Sequence, residues 1–307
     1  MKIWKTLVAT VALASATTLT ACSTGAPAAS APTNGELAVA VAFYPFQFIT
    51  EGIGGDQVAV TNLTQPGVEP HDLELTAQQV ASLSTVDLVV FQSGFQPAVD
   101  TALQQAQPKR VVDAASFLTF TPVSPESDHE AEVGANDPHT WLDPSKMVTI
   151  AEHVRDALIE AKPAAREVLT ANAAALISDL NQLDADFKAG LSTCAIDPFV
   201  TSHAAFGYLA ARYGLEQVAI RGLEPDTEPT AARIAEVQQI AREHRVTTIF
   251  FETLVSPVVS ESIASDLGLK TAVLDPLEGI TPESKGTDYL EVMRSNLTAL
   301  RTANQCS

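Results

Sequence analysis

The chain has 307 residues, of which 46% are hydrophobic and 18% charged, and its formal net charge is −19. That length is enough for two domains of ordinary size. The acidic surplus excludes nucleic acid as a partner, since such binding depends on clustered Lys and Arg, while a diffuse negative field favours cations near the surface.

Residues 1–21 read as an export signal. Lys2 and Lys5 form a positive start, and residues 7–19 are apolar or small, too short a stretch for the roughly 20 residues of a membrane span. Leu19-Thr20-Ala21-Cys22 has the form of a lipobox, so Cys22 is expected to be lipidated and to anchor the protein outside the cytoplasm. Cleavage by a general signal peptidase, with Cys22 an incidental thiol, is the alternative. Residues 22–35 are mostly small residues and Pro, which bury too little surface to fold and serve as a tether.

From residue 36 the pattern alternates. Strands are predicted at 37–43, 58–63, 86–92 and 110–113, with helices at 46–53, 76–83 and 97–106 between them. Residues 121–138, rich in Pro and acids, break the rhythm and read as a solvated loop. Two helices follow, at 144–161 and 164–189, separated by Pro163. The second would be about 40 Å long at 1.5 Å per residue. Alternation then resumes, with strands at 199–202, 217–220, 247–252 and 270–274 and helices at 205–212, 230–244, 257–267 and 288–301. The predicted fold is α/β: two α/β domains with mainly parallel sheets (36–163 and 191–307) joined by one long rigid helix at 164–190.

Cysteine usage agrees with export. Besides Cys22 there are only Cys194 and Cys306, an even pair in an oxidising compartment and an expected disulfide. Two free thiols are the alternative.

His71, His139, His203 and Asp275 each lie near the predicted end of a strand or loop, about a fifth of the chain apart, two in each half. Ligands of open α/β sheets bind beyond the carboxyl ends of strands, so the natural meeting point is a cleft between the halves. Taken singly, a histidine near a strand end is more often a hydrogen-bonded structural residue than a ligand. Together, three imidazoles and one carboxylate complete a four-coordinate metal set with no position left for chemistry, which points to capture of an ion and away from an enzyme. The metalloprotease motif HExxH does not occur.

The segments PHDLELTAQQVASLSTVDLVVFQSG, NDPHTWLDP, TSHAAFGYLAARYGL, TEPTAARIAEV, FFETLVSP and LDPLEG resemble the metal-binding proteins of zinc and manganese ABC importers, the zinc-uptake solute-binding family. The resemblance covers the chain from Leu37 onward. It implies two α/β domains bridged by a rigid helix, with His71, His139 and His203 as nitrogen ligands and Asp275 as the fourth. It also implies an ABC permease as partner, a membrane association through the lipid on Cys22, and a monomer. Manganese-type members tend to place a carboxylate where this chain has His203, so Zn2+ is the expected cargo and Mn2+ or iron the alternative. A metal-dependent surface adhesin and an exported zinc hydrolase are the rival functions.

Further expectations concern the surroundings. Glu69 and His129 are possible accessory metal residues. Asp137 is a candidate to orient His139. Glu252 is read as an internal hydrogen-bonding acid, Gln96 carries no assigned role, and His153 and His244 are read as surface residues. Coordination needs neutral imidazole, so affinity is expected to collapse as pH falls through about 6.5.

Overall fold

The computed structural model describes residues 35–122 and 136–307. Residues Leu37–Val41 (β1), Val58–Asn62 (β2), Leu88–Phe91 (β3) and Val111–Asp113 (β4) form one sheet. Pro198–Thr201 (β5), Glu216–Ala219 (β6), Thr248–Phe251 (β7) and Lys270–Val273 (β8) form the other. Their spatial orders are β2-β1-β3-β4 and β6-β5-β7-β8, with every pairing parallel. The inner strand β3 is buried on both faces, which is why it reads as a continuous apolar run without alternation.

Parallel strands need crossovers, and the helices supply them. In the first half these are Tyr44–Gly54 (α1), Ala77–Leu83 (α2) and Pro97–Ala106 (α3). In the second they are Gly207–Tyr213 (α6), Ala231–Glu243 (α7) and Val258–Leu267 (α8), with Tyr289–Ala303 (α9) closing the chain. Their boundaries follow local chemistry. Thr76 and Gln79 make a reciprocal capping box on α2, and Thr230 and Asp288 cap α7 and α9. Gly214 and Gly268 end α6 and α8 in the left-handed conformation that glycine adopts without strain.

Between the halves run Pro144–Ala161 (α4) and Arg166–Gly190 (α5), separated by a single tight turn at Pro163–Ala165. Helix α5 packs on α1 and α4 at the first sheet and on α9 at the second. The main hydrophobic core follows this path, from β1 and β3 through Leu169, Leu180 and Phe187 to Phe199, Leu274 and Leu300. A smaller core lies on the outer side of the second sheet, around Val200, Ile249, Val237 and Ile263.

Cys194 and Cys306 are joined by a disulfide across 112 residues. The same corner is stitched by Asn304, whose carbonyl accepts from Ala195 and Ile196 and whose amide donates to the Ile196 carbonyl at 2.7 Å. Among the described residues no helix is long and apolar enough to cross a membrane.

Candidate metal centre

Two loop corners from each half meet above the strand ends. His71 lies in the turn-rich segment between β2 and α2, where Gln96 donates to the Pro70 carbonyl at 3.1 Å and Glu69 accepts from the His71 amide at 3.1 Å. His139 opens the tight turn Thr140–Leu142; Gln92 donates to the Pro138 carbonyl at 2.6 Å, and Thr140 Oγ1 donates back to Gln92 at 2.6 Å. His203 follows β5, the strand at which the order of the second sheet reverses, so it sits at a topological switch point. Gln217 and Thr201 both donate to its carbonyl. Helix α6 starts only at Gly207, because residues 203–206 turn to aim this histidine into the cleft.

The halves are fastened beside these corners. The Trp141 indole, fully buried, donates to the Pro276 carbonyl at 2.7 Å, and Tyr289 donates its hydroxyl to the Trp141 carbonyl at 2.6 Å. Tyr208 donates to the Asp137 carbonyl at 2.9 Å. A closed cleft therefore has its own polar frame apart from any ion.

Within that frame the three imidazoles converge on one carboxylate oxygen. Glu278 Oε1 is 3.4 Å from Nε2 of His71, of His139 and of His203, and the last two nitrogens are 3.3 Å apart. A tetrahedral ion with bonds of about 2.0–2.1 Å has ligand atoms about 3.3–3.4 Å apart along its edges. Four of the six edges of this donor set have that length. The His71 ring stands 5.4 Å and 5.9 Å, centre to centre, from those of His139 and His203. All four residues are buried, and their donor atoms lie within 4.8 Å of one another.

The fourth member corrects the sequence expectation. Asp275 is not among the converging atoms. Its Oδ1 accepts from the Leu277 amide at 2.8 Å and its Oδ2 from Ser284 Oγ at 2.7 Å, while Asn296 brackets its backbone from both sides. This local turn holds Leu277 in a left-handed conformation, φ 58°, and so swings Glu278 inward. An Asp before Pro commonly folds its carboxylate onto the backbone two residues on, and that was the signal in LDPLEG that pointed past Asp275.

Each Nδ1 has a carboxylate of its own. Asp137 lies 2.8 Å from His139, Glu252 2.7 Å from His203 and Glu224 3.3 Å from His71. A carboxylate on Nδ1 fixes that nitrogen as the donor and leaves the Nε2 lone pair for a metal. Glu252, which also accepts from Ser202 and the His203 amide, is thus a hydrogen-bonding acid. Gln96 gains a positioning role that its sequence context did not suggest.

The electrostatics are those of a shell built around positive charge. Burial disfavours a charged His71, but hydrogen bonds to Glu224 and Glu278 outweigh it and raise its pKa to about 9. His203 is likewise raised, against burial, by Glu252 and Glu278. Glu278 is held well below the usual carboxylate range, also against burial, by the histidines around it. Burial, helped by Glu278, pushes Glu69 up to about 8 and leaves it outside the donor set. His129 and Cys22 lie outside the described residues.

The family model described as zinc-uptake complex component A, periplasmic (ZnuA), matches residues 39–303. The chain belongs to the ZnuA family. It is 37% identical over 279 residues to the zinc-binding lipoprotein AdcA of Streptococcus pneumoniae R6, covering 87% of this chain and 56% of AdcA. The chain therefore spans little more than half the length of that relative. To the high-affinity zinc uptake system protein ZnuA of Bacillus subtilis 168 it is 34% identical over 295 residues, covering 92% of each. Among solved structures, the Zn(II)-bound ZnuA-like domain of Streptococcus pneumoniae AdcA superposes with a TM-score of 0.75 at 36% identity, covering 88% of this chain and 99% of that domain. Both α/β halves fall within these matches.

Proposed function

We propose that this protein captures Zn2+ outside the cytoplasm through His71, His139, His203 and Glu278, and hands it to the permease of an ABC importer. The single observation that carries the reading is the set of three Nε2 atoms equidistant from Glu278 Oε1 at the edge length of a zinc tetrahedron. Zinc-binding and zinc-uptake names among the relatives support the same ion. Three nitrogens suit zinc better than manganese, which prefers oxygen ligands. Four protein donors leave no position for a reactive water, so the centre holds its ion as cargo and performs no hydrolysis.

The lipobox at Cys22 and the tether 22–35 support lipid anchoring to the cell membrane on its extracytoplasmic side, and AdcA is itself named a lipoprotein. We assign residues 36–163 and 191–307 to two lobes and 164–190 to the helix that spans them, with a monomer as the working unit. Calorimetric titration of the metal-free protein should show one zinc site far tighter than micromolar. Competition with manganese should favour zinc in the wild type and less so in His203→Glu. Zinc binding no better than micromolar would defeat the proposal, and equal selectivity in both proteins would defeat the role of His203.

A further inference from the structure

The three carboxylates behind the histidines are not equivalent. Asp137 is two residues from His139 in the first half, and Glu252 faces His203 within the second, and both acids are buried. Glu224 is different in every respect. It belongs to the segment after β6 in the second half, while His71 belongs to the first. Its side chain is 62% exposed, and its contact with Nδ1 is the longest of the three at 3.3 Å.

Glu224 is nonetheless placed by a local frame. Its carbonyl accepts from Thr227 Oγ1 at 2.9 Å, and Arg221 Nε donates to the Thr227 carbonyl at 2.9 Å. Together with His71, Phe95, Pro138 and Leu223 it lines a cavity of about 590 Å³. Phe95 meets the His71 ring edge-on at 4.7 Å and restrains its tilt, but it offers no acceptor for Nδ1.

Opening of the cleft would leave His139 with Asp137 and His203 with Glu252. Only His71 would lose the acid that orients it, while both His71 and His139 would part from Glu278. Resting on the zinc reading above, we propose that Glu224 is a positioning residue acting through His71: a clasp, made only in the closed cleft, that fixes the His71 ring with Nδ1–H toward the acid and Nε2 toward the ion. Its contribution falls on release of zinc, because capture begins in the open form, where the contact does not exist. The Glu224 carboxylate itself is exposed, so its attraction for the ring polarised by the bound ion weakens with salt.

The test is stopped-flow zinc binding, and zinc release into excess chelator, with the full chain. Loss of an outer partner of a metal-bound histidine costs about 10–100-fold in affinity. Glu224→Ala should show that loss almost wholly as faster release, with the association rate within about threefold of wild type. Glu224→Gln keeps an oxygen that accepts from Nδ1–H, so its release rate should fall between the two. It should also lose most of the salt dependence of release seen in wild type. Glu224 is exposed, so the metal-free forms of both variants should melt only a few degrees below wild type, the small loss being that of its contact with His71. Release from Glu224→Ala within about twofold of wild type overturns the proposal, as does a loss carried mainly by slower association. Salt dependence unchanged in Glu224→Gln overturns it equally. Failure of wild type to bind zinc would instead refute the underlying reading.

Discussion

Asp275 and Glu278 compete for the same role on paper, and a pair of substitutions separates them. Asp275→Ala removes the acceptor of the Leu277 amide and of Ser284. A non-glycine residue held left-handed costs about 1–2 kcal/mol, and a buried amide stripped of its acceptor costs about 1–3 kcal/mol. Both penalties fall on Leu277, whose side chain is fully buried, so the turn should relax and carry Glu278 away from the three Nε2 atoms. A loss of about 10–100-fold in zinc affinity is expected, the scale of a lost orienting partner. Asp275→Asn keeps one oxygen for the Leu277 amide and should stay within a few-fold of wild type. Glu278→Gln, which replaces the anionic donor itself, should be the most damaging of the three. Competition with a chromogenic chelator, and the visible spectrum of the Co2+ form, report affinity and ligand set together. If Asp275→Asn lost as much affinity as Glu278→Gln, the assignment of Glu278 over Asp275 would be wrong.

Other perturbations test other parts of the frame. His71 has its pKa raised to about 9 in the metal-free protein, so it holds a proton at pH 7.5 that zinc must displace. Calorimetry in buffers of different ionisation enthalpy should show net proton release, and affinity should keep rising with pH to about 9 instead of levelling just above 6.5. In the metal-free form the same shift stabilises the fold below pH 6.5, and that contribution is lost as pH rises through about 9; the rise in melting temperature on adding zinc should therefore grow across this window. Trp141→Phe removes the indole bond to Pro276 that joins the halves. A few-fold loss of zinc affinity should accompany a destabilisation of about 1–2 kcal/mol, read by denaturant titration. Replacing Cys194 and Cys306 by Ala should lower the melting temperature by less than the chain-entropy value of about 4–5 kcal/mol implies, because Asn304 keeps the corner tied. Zinc affinity should not change, since Cys194 precedes β5 while His203 follows it.

Much of this architecture was legible because its signals are local. The apolar run of β3, the capping box at Thr76 and the glycines at 214 and 268 each place an element without reference to the rest of the chain. The three histidines were legible because they stand just beyond the strands and turns that aim them. Glu278 was not, because its direction depends on a left-handed Leu277 held by Asp275, and two acids three residues apart look alike in sequence. Nor were the roles of Glu224 and Gln96, which exist only through contacts across 153 and 26 positions of chain, to His71 and to the Pro70 carbonyl.

The two sheets share one strand order, and the donors divide evenly between them, His71 and His139 from one half, His203 and Glu278 from the other. On the proposed zinc role, each half alone would be a two-toothed chelator of ordinary strength. What turns two weak grips into one strong grip is the effective concentration of the second pair once the first has hold, a quantity set by the geometry and stiffness of the connection. That connection is α5, which packs on α1 at one end and α9 at the other. Substitutions along this helix can therefore tune zinc affinity while every donor atom stays unchanged.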